Sequence, residues 1–77
     1  MVTGVVLIRL ATGKEEITLS KIKVTPGVSH LSGVYGRWDL ICDIEAEDLR
    51  SMTDIVVHKL RAIPGVKSTE TLVTTAI

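Results

Sequence analysis

The chain's 77 residues carry nine Lys and Arg against nine Asp and Glu, a formal net charge of zero. That balance removes the basic excess on which phosphate-backbone binding depends, so no direct nucleic-acid partner is expected. Hydrophobic residues make up 45% of the chain with 2 prolines and 6 glycines, which marks globular material of one domain, residues 1–77, small enough that self-association is expected.

Val2 to Leu10 reads VTGVVLIRL, with Val5, Val6, Leu7 and Ile8 apolar in succession and rich in β-branched side chains. A run this short predicts a strand buried on both faces. It is also far too short to span a membrane and no basic segment precedes it, which makes the cytoplasm the default compartment. Thr12 and Gly13 break the strand. Lys14-Glu15-Glu16 then places acids in the first turn of a helix, where the macrodipole favours them. Its apolar stripe, Ile17, Leu19, Ile22 and Val24, is ragged. The stretch KIKVTPGVSH ends it: Thr25, ahead of Pro26, is pushed out of the α region, Gly27 takes the sharp turn, and Val28 begins a strand, VSHLSGVY, to Tyr35. Gly36-Arg37 is a hairpin-length link to WDLICDI, Trp38 to Ile44. A second helix follows, with Leu49, Met52, Val56 and Leu60 at i, i+3, i+7 and i+11 and Ile55 beside the stripe. Asp48 near its start and Lys59 and Arg61 near its end suit the dipole. KLRAIPGVKS then repeats the helix exit, with Pro64 lying 38 positions after Pro26. The last strand is VKSTETLVTTA, Val66 to Ala76.

The order β-α-β-β-α-β, with one exit spelled twice, predicts an α+β fold of the ferredoxin-like, split βαβ kind: a four-stranded antiparallel sheet with two helices on one face. Right-handed crossovers put the first and third strands in the centre and the second and fourth at the edges. VVLI and LICDI are the most apolar strands, which agrees with that order. Two helices cover one face only, while Val5 and Leu7 point opposite to Val6 and Ile8. A second copy packed sheet to sheet about a two-fold axis is the simplest cover for the other face.

Little in the chain suggests catalysis. His30 and His58 are far apart, with no paired carboxylate or nucleophile evident for either, and neither GxSxG nor a phosphate loop occurs. Cys42, the single cysteine, lies in an apolar run and excludes an intrachain disulfide; CxxC metal spacing is missing, and no metal or cofactor is expected. The segments that stand out are GVYGRWDL and GVKSTET. With the last strand beside the first and away from the hairpin, one subunit is not expected to bring them together, whereas an assembly does. Asp39 opens a central strand, where an acid is a poor strand former. It reads either as a solvated turn residue or as a fixed anion facing a cationic ligand group.

The helix exit IPGV, the turn and strand YGRWDLICDIEAEDL, and the final GVKSTETLV together resemble the ligand-binding (RAM) domain of the Lrp/AsnC regulators, over essentially the whole chain. The winged helix-turn-helix that family members typically carry has no counterpart here, so the resemblance implies a stand-alone effector-sensing module for transcription regulation. It also implies a dimeric α/β barrel-like unit, with dimers set in octamers or decamers, and a small amino-acid effector held in clefts between dimers. By position the cleft residues are Tyr35, Gly36, Asp39, Thr69 and Thr71: amides around Gly36 for a carboxylate, Asp39 for the α-ammonium, and threonine hydroxyls to complete a polar shell. Arg37 and Trp38 replace the pair usual in the family's turn. Arg37 reads as a ligand for the effector carboxylate or as a solvated cation, and Trp38 as a pocket wall or as a dimer or core anchor. Two other functions remain in view: a co-assembly partner of full-length Lrp/AsnC regulators without an effector of its own, and a small ferredoxin-like enzyme using His30.

Overall fold

In the computed structural model, which describes residues 1–74, the elements run β1 (Val2–Leu10), α1 (Glu15–Lys23), β2 (Val28–Gly33), β3 (Leu40–Ala46), α2 (Leu49–Asp54) and β4 (Val66–Val73). The strands form one antiparallel sheet in the order β2-β3-β1-β4, a ferredoxin-like arrangement with β1 and β3 in the centre. The expected order therefore holds. The fourth strand's expected last residues, 75 and 76, lie outside the described residues.

Alternation along the central strands decides what reaches the core. Val6 and Ile8 of β1 are fully buried, as are Cys42 and Ile44 of β3, and they pack with Ile22 of α1 and with Met52, Val56 and Leu60. Each such side chain contributes about 1.5–3 kcal/mol by leaving water. Val5, Leu7 and Ile41 point the other way and stay partly exposed.

The helices differ from the expected stripes. In α1 the buried residues are Thr18 and Ile22, while Ile17 and Val24 are exposed. A threonine can take a core position when its hydroxyl is satisfied, and the Thr18 hydroxyl donates to the Pro64 carbonyl at 3.0 Å. After α2 the chain widens into a π-helical segment, Ile55–Leu60, closed by the Arg61 amide donating to Val56 O at 2.9 Å. The wider winding takes more residues per turn, so the inward row runs Met52, Val56, Leu60. Leu49, expected on that row from its spacing to Met52, stands exposed at the first position of α2.

The repeated exits behave alike. Gly27 and Gly65 sit at φ of 92° and 99°, in the left-handed region that the turn requires of them. Each hooks onto a central strand's end: Glu45 N donates to Gly27 O and Ala11 N to Gly65 O.

The link between β2 and β3 is longer than the expected Gly36-Arg37. It runs over residues 34–39, because the ladder opens before Tyr35 and closes again only at Leu40. Asp39 is the cause, since its groups are committed to β1 and to closing the turn.

Candidate functional site

Asp39 is tied down at three points. Its amide donates to Ile8 O at 3.0 Å, its carbonyl accepts from Val34 N at 3.0 Å, and its carboxylate oxygen Oδ2 accepts from Leu10 N at 2.8 Å. The side chain thus stands in for a ladder carbonyl at the end of the sheet. Its second carboxylate oxygen remains available, since an ionised carboxylate accepts at both oxygens.

Beyond this anchor the turn projects into solvent. Tyr35 is fully exposed at 107%, Arg37 and Gly36 are exposed, and a side chain built on Gly36 would meet nothing within 4 Å. Trp38 is partly buried at the base of the turn. The turn thus presents approachable backbone, a cation and an anion to solvent.

The two candidate segments are closer in a single protomer than expected. Ile8 pairs with Leu40 on one side and with Thr69 on the other, so Asp39 and the start of β4 share one end of the sheet with only β1 between them. At strand spacings of about 4.8 Å, that separates them by roughly 10 Å. Their faces differ, however. Thr69 and Thr71 pair with Ile8 and Val6, whose side chains are buried under the helices, so the threonines lie on that covered side and are themselves partly buried. Thr71 lines a cleft of about 250 Å³ with Leu49, Met52, Thr53, Val56, Val57 and Val73. That cleft lies toward the end of β1 away from the turn.

A larger groove, about 570 Å³, lies on the open face of the sheet, along Thr3, Val5, Ser29, His30, Asp43 and Glu45. Here the structure corrects the reading of His30 as a histidine without a paired carboxylate: its Nδ1 lies 3.0 Å from Asp43 Oδ2. Only the strand pairing shows this, because 13 positions separate the two residues in sequence. Cys42 lies beneath this face with its thiol pushed up to about 11, first by burial and then by the charge of Asp43. A thiol so held is inert at neutral pH. Among the described residues there is no metal-binding group of three or more His, Cys, Asp or Glu, and no helix long and apolar enough to cross a membrane.

The sequence that folds in this way matches a family over nearly its whole length. The Lrp/AsnC ligand binding domain family matches residues 3–76. The chain belongs to that family. As a Lrp/AsnC ligand binding domain it is a regulatory unit and not an enzyme. An uncharacterised HTH-type transcriptional regulator of Pyrococcus furiosus is 38% identical over 53 residues, covering 69% of this chain and 35% of that protein. The chain thus spans about a third of the length of the curated relatives it matches. The crystal structure of FFRP-DM1 superposes with a TM-score of 0.90 at 32% identity, covering 97% of this chain and 100% of that one. The complex of a transcriptional regulator of Neisseria meningitidis with L-Met superposes at 0.90 with 14% identity, covering 97% of this chain and 50% of that one, which is a likeness of fold alone.

Proposed function

We propose that this domain senses a small amino acid at the boundaries between copies of itself and so modulates a transcription regulator in the cytoplasm. The observation that carries the proposal is the open sheet face. Val5, Leu7, Ile41 and Leu72 lie on adjacent strands there, and the chain's own helices cover the opposite side. A second copy packed on this face removes the apolar row from water. If the contact hides ~1,600 Å² in total, the pair is a durable dimer.

Dimers set side by side, as in an octamer or decamer, give the projecting turn an opposing wall. The amides around Gly36 and the Arg37 guanidinium then receive the effector carboxylate, the free oxygen of Asp39 pairs with the α-ammonium, and Tyr35 closes over the ligand. Thr69 and Thr71 contribute hydroxyls from β4 of a neighbouring copy. The L-Met complex of the Neisseria protein supports an amino acid as the ligand class.

Calorimetric titration with each of the twenty amino acids, with light scattering on the same samples, tests both halves. At least one saturable site is expected, and no monomer at ~10 µM. Silence from all twenty with folded protein overturns the effector; a clean 8.3 kDa species overturns the dimer. Asp39→Asn sharpens the test because asparagine keeps an acceptor for Leu10 N while it removes the charge and turns the free oxygen into an NH2 donor. Binding is expected to fall at least tenfold, with the melting temperature within a few degrees of the original.

A second reading is favoured by the curated relatives, which are about three times as long as the region they share with this chain. The domain would co-assemble with full-length Lrp/AsnC regulators through the same open face. Co-expression and size-exclusion chromatography test it, and the absence of mixed oligomers rejects it.

A further inference from the structure

The open face that the proposed dimer would bury is acidic, although the chain as a whole is neutral. Alternation from the buried residues assigns Arg9 of β1, Asp43 and Glu45 of β3 and Glu70 of β4 to this face, Lys67 falling at the irregular step where the β1–β4 register shifts. Val66, its neighbour, packs against the core, so exposed Lys67 falls on the open side; Arg9 and Lys67 against three carboxylates leave one negative charge on each copy and two in a pair. His30 is the remaining titratable group there, and its position is built rather than incidental.

Between the pairs Ser29 with Asp43 and Ser32 with Ile41, β2 holds two residues opposite the single Cys42, so one residue is extra. This is a β-bulge. His30 occupies it at φ 50°, a conformation uncommon outside glycine, while Leu31 keeps its place against the core. The bulge thereby turns the imidazole onto the open face beside Asp43. The groove it enters holds three titratable side chains, His30, Asp43 and Glu45, and no Lys or Arg. The basic residues nearest in the chain are Lys23, in the last turn of α1 on the covered side, and Arg37, in the exposed turn between β2 and β3.

We infer that His30 is a proton-operated latch on self-association: protonated, it offsets the Asp43 and Glu45 charges that two apposed sheets bring together, and neutral, it leaves them to repel. The inference rests on the proposed open-face dimer. Linkage fixes the sign. Pairing two acidic faces raises the imidazole's affinity for a proton, so association is tightest at low pH and weakens as pH rises through the imidazole range, between about 5 and 8. Burial of the face removes the solvent screening that makes such charges weak when exposed.

Sedimentation of a dilution series at about pH 6 and about pH 8 in low salt measures this. The dissociation constant is expected to rise roughly tenfold at the higher pH. His30→Gln is expected to abolish the pH dependence. Asp43→Asn with Glu45→Gln is expected to tighten association at about pH 8. Where dilution does not separate the copies, the concentration-dependent midpoint of urea unfolding supplies the same constant. An unchanged constant across the two pH values, or a full pH dependence surviving in His30→Gln, overturns the latch and leaves the dimer standing. Monomer in every sample, up to ~100 µM at both pH values, overturns the dimer and the latch together.

Discussion

The two faces of the sheet are made from the same strands and meet different fates. On the helix side Val6, Ile8, Cys42 and Ile44 are exposed by 1% at most, whereas one residue along Val5, Leu7 and Ile41 remain partly open to water and Leu72 is 52% exposed. Alternation settles which side chains share a face, but it does not supply the cover. A central strand apolar at both parities states a need for two covers, and this chain meets one of them with α1, α2 and the π-wound turn. The largest expected effect follows directly. Ile8→Ala leaves a cavity in a sealed core and should cost ~3 kcal/mol of stability, read from urea unfolding. Leu7→Ala, one position away, should cost under ~1 kcal/mol within the subunit and act chiefly on self-association. If both variants lose the same stability independently of protein concentration, the contrast between the faces is wrong.

The repeated exits sharpen the contrast from the covered side. A side chain on Gly65 would run into the Thr18 hydroxyl, and one on Gly27 would lie 2.9 Å from Glu45 O and 3.0 Å from Ile55 Cδ1. Each exit is thus pressed against the other half of the molecule. Gly36 has a φ of 126° and nothing around it. Gly65→Ala should therefore cost ~2–3 kcal/mol, from backbone strain and from crowding at Thr18 together, and Gly36→Ala only ~1 kcal/mol, from strain alone. Adding Thr18→Ala to Gly65→Ala should not restore full stability, since the strain persists and the Pro64 carbonyl loses its donor. Equal losses at Gly65 and Gly36 would mean that packing against the exit contributes nothing.

The fold was legible because its signals are local and period-bound. VVLI states a two-sided strand within four residues, and the two Pro-Gly exits mark both helix ends, so strand order followed from topology rules. Thr18 was not legible as a core residue, because its burial depends on the Pro64 carbonyl, which lies 46 positions away. Nor was the exposure of Leu49, which keeps the apolar spacing but sits at the first position of α2, outside the buried cluster. At the candidate site, Asp39 could be singled out from its poor fit to a strand. Its bond to Leu10 N depends on the strand pairing, as does the nearness of β4 to the turn. His30 was missed as a paired residue for the same reason: a bulge is a property of two strands, and no single-strand pattern reports it.

The smallest expected effect concerns how the covered face is capped. α1 begins at Lys14 with no side-chain cap, whereas Asp48 caps α2, its carboxylate accepting from Ser51 N at 2.7 Å. Those bonds from Ser51, backbone first and hydroxyl next, hold the Asp48 carboxyl below its ordinary value of 3.8. A carboxyl depressed by folding stabilises the native state above the unfolded value and loses that contribution as pH falls through the folded one. Asp48→Ala should therefore melt lower than the original protein at neutral pH, with the gap closing as the pH drops below 3.8. Asp48→Asn, which caps without charge, should start from a smaller gap that shrinks by the same amount over the same pH range, because the loss belongs to the original carboxylate. A gap for Asp48→Ala that stays constant down to about pH 2 would show that the cap acts through its hydrogen bond and that the carboxylate's charge plays no part.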